Sequence, residues 1–232
     1  MNGKLKEILK LLAIPLSLML IFLLVHGVWN LLGLPSNDEL VPIVKNWFND
    51  HGLWIVFIGA LIEGFLLLGQ YFPGGFIIFL GVISAGKDIQ RAAFVVLIVC
   101  VAFFMAYTMN YLLGKYGWYK LLAKFGLGQS IDKSKDKLTK QGMNAILFSY
   151  WEPNLASITA TAAGVLQVPL KKFSFYSAVG IILWNIFWGT LVYKLGEKAL
   201  DLFMGVKYVF VIFLIWVGIL IFKKYVLDRA KT

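Results

Sequence analysis

The 232-residue sequence specifies an all-α integral membrane protein, and three observations lead there. Hydrophobic residues make up 60% of the chain and charged residues 15%, against roughly 45–50% and about 25% in ordinary globular proteins. A soluble domain of this length has no interior large enough for that apolar surface, which includes 8 Trp, 10 Tyr and 19 Phe; the hydrocarbon of a bilayer removes the difficulty. Apolar runs of spanning length recur along the chain. Two further apolar runs are broken midway by proline, a pattern suited to helices that enter a membrane without crossing it. The predicted architecture is four full spans plus two opposed re-entrant helical hairpins arranged as an inverted repeat.

Residues 1–34 read as a basic amphipathic lead, MNGKLKEILK, followed by a first span from Leu11 to Leu34, with Pro15 near its start, where a missing N–H matters least. That run has no clear small-residue cleavage site and is long enough to span, so it is expected to stay in place as a span. Residues 35–52 interleave polar groups with Leu40, Ile43, Trp47 and Phe48, the pattern of an amphipathic helix lying on the interface. Residues 53–200 form the core of the protein. The final segment, 201–232, carries the last span and a basic tail.

Within the core, the apolar run 53–86 is broken at Pro73, Gly74 and Gly75, and the run 143–166 at Glu152, Pro153 and Asn154. The piece after the first break is about 11 residues, or half of a hydrocarbon core roughly 30 Å thick at about 1.5 Å per residue. The piece before the second break is shorter. Neither crosses alone, so each broken run is expected to turn back. Clean spans follow each hairpin, from Ala92 to about Tyr116 and from Phe173 to Leu195, and their ends YLLGKYG and LVYKLGEKA are alike. Opposed repeats with broken helices meeting near the midplane are a transporter architecture.

Charge orients the layout. With the N-terminus inside, Lys4, Lys6, Lys10, the lysines of 115–140, Lys171, Lys172 and the basic residues from Lys223 onward all fall inside, 16 of the 22 in the chain. Lys45, Lys87, Arg91, Lys194, Lys198 and Lys207 fall outside, the direction that the positive-inside rule requires. A hairpin one that crossed fully would put the lysine-rich 117–142 segment opposite the basic N-terminus. The net charge of +10 therefore reads as topology and attraction to anionic headgroups. Nucleic acid is not an expected partner, because no soluble stretch is long enough to present a basic face.

Chemistry-bearing residues are few. Glu63 and Glu152 are acids at positions where the membrane makes a charge expensive, about 2.5–3.5 kcal/mol for an acid at mid-helix. Glu63 has no basic neighbour within twenty positions except Lys45, so it is expected to hold its proton unless a substrate, ion or water compensates it. Glu152, beside Pro153, reads equally as a pathway residue or as a cap on the following half-helix. Half-helix N-termini after each break, at Phe76 and Leu155, are expected to aim N–H groups at an anionic guest. The small, hydroxylated run around Ser157, Thr159 and Thr161 reads as close helix packing, and Asn110, Trp184 and Asn185 as interhelical hydrogen bonding. Catalytic signatures such as H-E-x-x-H, G-x-S-x-G and a phosphate-cradling loop are missing, so the chain is not read as an enzyme. Cys100 is the single cysteine and His26 and His51 the two histidines; no metal or other cofactor is expected.

The broken runs resemble a known family. EGFLLLGQYFPGG (63–75) resembles the E-x(n)-P-G-[ED] hairpin of the DedA family, also called the SNARE-associated Golgi or VTT-domain proteins. YLLGKYG (111–117), which begins at Tyr111, resembles that family's Y-x-x-G-[RK]-x-x-G. FSYWEPNLASITATAAGVLQVPLKKFSFYSAVGIILWN (148–185) is similar to its F-G-R-F-x-P-x-x-R…AG…M-x-x-x-x-F…G…W stretch. The resemblance covers about residues 40–200. It implies a lipid transporter or scramblase, with membrane lipids as partners and protons as a candidate coupling species; bacterial members are linked to recycling of the undecaprenyl phosphate carrier. It also implies a prokaryotic plasma membrane, in which the charge count places both termini on the cytoplasmic side. Glu63 stands at the family's first acid and Pro73-Gly74 at its breaker, while Gly75 replaces the usual second acid. Tyr150 and Ala156 stand at the two arginines, the natural bidentate phosphate ligands, and Glu152 is an added acid. Hairpin two has thereby lost two positive charges and gained a negative one, which suits a cationic or zwitterionic guest. A scaffold that keeps the fold without the phosphate site is the alternative reading.

Overall fold

A computed structural model describes the chain except for residues 1–2, 36–38, 40–41, 44–45, 48–49, 70–74, 197, 199–205 and 230–232. The described residues are helical, with no strand among them. They divide into two compact units, 1–40 with 197–232, and 41–196.

The first unit opens with α1 (Gly3–Leu31), 29 residues long. This helix starts before the apolar run, because the lead LKEILKLLA is built from strong helix formers. Pro15 consequently lies inside the helix and buried, not near its start as the sequence reading had it. In the 35–52 segment the described residues Glu39, Pro42, Ile43, Asn46, Trp47, Asp50 and His51 are helical.

The second unit begins with α2 (Trp54–Gly64) and the single turn α3 (Leu66–Gly69), separated by an extended Phe65. Pro73 and Gly74, the expected breakers, lie outside the described residues. The chain returns as α4 (Phe76–Ala85), then runs through α5 (Ile89–Lys115), whose N-cap Asp88 accepts from the N–H groups of Gln90 and Arg91 at 2.9 and 3.0 Å. Short α6 (Tyr119–Lys124) and amphipathic α7 (Gly128–Gln141) follow. Tyr119 Oη and Lys135 Nζ both donate to Asp132, joining these two helices; Lys135 first, then Tyr119, holds the Asp132 carboxyl below its usual range. Then come α8 (Asn144–Ser149), α9 (Pro153–Val165) and α10 (Leu170–Leu195). In the first unit again, α11 (Val206–Arg229) packs on α1.

Helices α5 and α10, with 27 and 26 residues, are long and apolar enough to cross a bilayer. Helices α2, α4 and α9 are apolar but short: 11 residues of α2 rise only about 16 Å. Neighbour pairs fix the direction of the first hairpin. Val56 faces Gly81, and Gly59 faces Ile77, so α2 and α4 run antiparallel. Gly81 also meets Val95 near the start of α5, whereas Gly64 meets Phe103 and Ala106 further along it. Hairpin one therefore opens toward the Ile89 end of α5, where Tyr193 Oη of α10 donates to the Lys87 carbonyl at 2.8 Å. Helix α9 lies at the other end, with Gly164 against Tyr111 and Lys115 and with Gly114 against Thr161. There the contact is backbone to backbone, and only the missing Cβ of both glycines allows it. The hydroxylated run packs as expected: Ser157, Thr159 and Thr161 are buried in this crossing, and two of them bond within the helix, Ser157 Oγ to the Asn154 carbonyl and Thr161 Oγ1 to the Ser157 carbonyl.

Candidate functional site

The two broken segments meet beside their breaks: α9 packs on α2 and α3, and Asn154 Oδ1 lies beside Gly69. Glu63, 1% exposed, sits at the end of α2 facing the opening of α4. One carboxylate oxygen accepts from the Gly75 N–H, and the other from the Ile77 N–H at 3.1 Å. Gly75 has a left-handed backbone (φ 81°) that favours glycine and turns its N–H onto the acid. Glu63 thus caps the half-helix opposite it across the turn. The sequence reading gave this acid no compensation inside the chain; the positive end of α4 supplies one.

Glu152 does the same for hairpin two, but locally. It is the N-cap of α9, accepting from the N–H groups of Asn154 at 3.0 Å and Leu155 at 2.8 Å and from the Asn154 Nδ2 at 2.8 Å. Pro153 occupies the first helical position, where no N–H is missed. Of its two sequence readings, the cap is the one the geometry contains. The N-terminal N–H groups of α4 and α9, expected to meet an anionic guest, are directed at the chain's own carboxylates.

Two buried tyrosines join α5 to the end of α8. Tyr107 and Tyr150, 2% and 4% exposed, meet edge to face at 4.9 Å, and the Tyr150 hydroxyl pairs with Ser177 Oγ at 2.8 Å. Sequence reasoning named Tyr150 but missed Tyr107 and Ser177. The signal for Tyr107 was its spacing from Asn110 and Tyr111, three and four residues on, which puts all three on one face of α5.

The supporting residues hold backbone. Asn110, fully buried, accepts from the Leu66 N–H at 3.0 Å and donates to the Gly64 carbonyl at 2.8 Å. It thereby replaces helix bonds lost at Phe65, each buried group costing roughly 1–3 kcal/mol if left unpaired. Tyr111 stacks on Phe173 at 4.5 Å and donates its hydroxyl to the Val168 carbonyl. Trp184 Nε1 donates to the Leu147 carbonyl at 2.7 Å, an interhelical bond as expected. Trp188, missed in the sequence, donates likewise to the Trp151 carbonyl at 3.0 Å. Asn185 differs from expectation: its Nδ2 donates to the Ile181 carbonyl one turn back in its own helix. Glu63, Tyr150, Glu152 and Asn154 therefore belong to the meeting point of the tips, whereas Trp184 and Asn185 stand apart from it.

Long apolar helices, short apolar hairpins and a buried acidic centre between their tips define an α-helical membrane protein. The VTT domain family matches residues 72–194, more than half of the chain, and the chain belongs to this family, the DedA proteins. It is 29% identical over 102 residues to the uncharacterized membrane protein BU139 of Buchnera aphidicola subsp. Acyrthosiphon pisum, a match covering 41% of this chain and 40% of that protein. The chain thus spans less than half the length of this relative. No solved structure matches. Tyr150 is bonded to Ser177 and Ala156 is fully buried.

Proposed function

We propose that the chain moves phospholipid across the bilayer, with α2–α4 and α8–α9 acting as re-entrant hairpins of an inverted repeat and α1, α5, α10 and α11 as four full spans. The observation that carries this reading is the buried Glu63 carboxylate, which accepts from the opening N–H groups of α4. A charge so placed is costly in a membrane and is a mark of a substrate or ion pathway. Because both half-helix N-termini are already capped by acids, the centre suits a zwitterionic headgroup better than a polyprenyl phosphate. Proton exchange at Glu63 is the coupling step.

The test is headgroup translocation in vesicles containing the reconstituted chain. Phosphatidylcholine or phosphatidylethanolamine should equilibrate between leaflets faster than in protein-free vesicles. No acceleration for any lipid class, with folded protein present, would establish the second reading, a membrane scaffold. The capped helix ends, with tyrosine and alanine in place of the arginines, favour that alternative.

The orientation has its own test. Both termini and 117–142 face the cytoplasm in this reading, and 35–52 and 196–206 face outward. In a Cys100→Ser background, Asn46→Cys and Lys87→Cys should label from one face and Ser130→Cys from the other. Asn46→Cys and Lys87→Cys labelling from opposite faces would mean that hairpin one crosses.

A further inference from the structure

Where α7 meets α8 and the start of α9, the surface holds a pocket of about 560 Å³, within the roughly 300–1,000 Å³ usual for small-ligand sites. Its lining is divided by chemistry. Lys137 and Gln141, one turn apart on α7, and Asn144 at the start of α8 bring an ammonium and two carboxamides to one side. The left-handed turn at Gly142 places Gln141 and Asn144 together. Phe148, Trp151 and Leu155 supply the other side, and they are 72%, 46% and 40% exposed. Among the described residues no carboxylate pairs with Lys137, and the side chains of Gln141 and Asn144 make no hydrogen bond within the chain. Lys133, one turn earlier on the same face of α7, extends the positive field.

We infer that this pocket binds the phosphate of an anionic glycerophospholipid, with Lys137, Gln141 and Asn144 on the headgroup and Phe148, Trp151 and Leu155 against its glycerol and upper acyl carbons. Charge complementarity selects this occupant: a free ammonium with amide donors fits a phosphate, and a nearby basic residue adds attraction to anionic lipid. Exposed aromatic rings beside it are the side chains that settle at headgroup depth. The wall is fixed in advance, because the Trp184 and Trp188 indoles hold the carbonyls of Leu147 and Trp151. The pocket adjoins the acidic centre through Leu155, whose N–H is held by Glu152, but binding here does not depend on transport; a chain that binds here and moves no lipid would remove the proposed function and leave this one standing.

Native mass spectrometry of the full chain in mild detergent, offered phosphatidylglycerol and phosphatidylcholine in equal amounts, tests it. The wild type should retain phosphatidylglycerol in preference. Lys137→Glu should lower that retention by about fivefold or more, as expected for a lysine at an anionic surface. Lys124→Glu, the same charge change in the same basic segment but outside the pocket, should leave it near wild type. Phe148→Ala, at an exposed position whose loss spares the fold, should also weaken retention, which a purely electrostatic patch would not show. Equal retention of both lipids, equal loss in Lys124→Glu and Lys137→Glu, no effect of Phe148→Ala, or displacement of the lipid by millimolar inorganic phosphate would each overturn the assignment.

Discussion

Replacing Gly164 with valine is expected to unfold the core of this protein. A Cβ at Gly164 would stand 1.9 Å from the Tyr111 carbonyl oxygen and 2.8 Å from the Lys115 nitrogen, and one at Gly114 would stand 2.1 Å from the Thr161 carbonyl oxygen. These obstacles are backbone of helices α5 and α9, so no side-chain rotation relieves them. Helices α5 and α9 would have to move apart along a seam where Ala156, Ala160, Thr161, Ala162 and Ala163 are all fully buried. Overpacking costs typically 1–3 kcal/mol even where side chains give way, and a net stability of about 5–15 kcal/mol leaves little margin for more. Gly164→Val should therefore aggregate or fail to extract as a monodisperse species, with Gly164→Ala melting well below wild type. Gly27→Ala, where nothing lies within 4 Å of the added carbon, is the control and should behave as wild type. A monodisperse Gly164→Val with the wild-type melting temperature would contradict the crossing.

The second large effect belongs to Glu63. Glutamine keeps the shape of the acid, and from the sequence alone Glu63→Gln is expected to spare the fold while abolishing or uncoupling activity. The geometry revises the first half of that expectation. Both oxygens accept from backbone N–H groups, of Gly75 and Ile77, and a carboxamide has only one oxygen to offer. Its NH2 would face a donor. Glu63→Gln should thus lower stability by about 1–3 kcal/mol, and Glu63→Leu, which strands both N–H groups, by roughly twice that. If the carboxyl carries the coupling proton, the lipid translocation rate of the wild type varies with pH and that of Glu63→Gln does not. Melting temperature and rate measured together separate the two roles. A fall in stability with an unchanged pH profile would make Glu63 a cap and nothing more.

These two sites mark how far the sequence reaches. The two long apolar helices α5 and α10, the small-residue seam and the break at Pro153 were legible because their causes are local: hydropathy, residue size and a missing N–H. Glu152 was readable as a cap for the same reason, since its partners lie two and three residues ahead. The cap made by Glu63 was not. Its partners lie 12 and 14 residues on, and they are backbone groups with no signature in residue type. The extended Phe65 was also invisible, because the residue that makes it tolerable, Asn110, is 44 residues from the N–H it accepts. Tyr107 and Ser177 went unnoticed because a single hydroxyl in an apolar helix looks like packing until its neighbour across the fold is known.

The two tryptophan indoles that reach from α10 to the carbonyls of Leu147 and Trp151 have a mechanical consequence. They bolt α8 and the turn to α10, while the glycine seam bolts α9 to α5. The two arms of hairpin two are therefore carried by different levers. A change in the angle between α5 and α10 is taken up at the two ends of α9, the turn Tyr150–Trp151–Glu152 and the connection 166–169, and the first of these joints holds the acid.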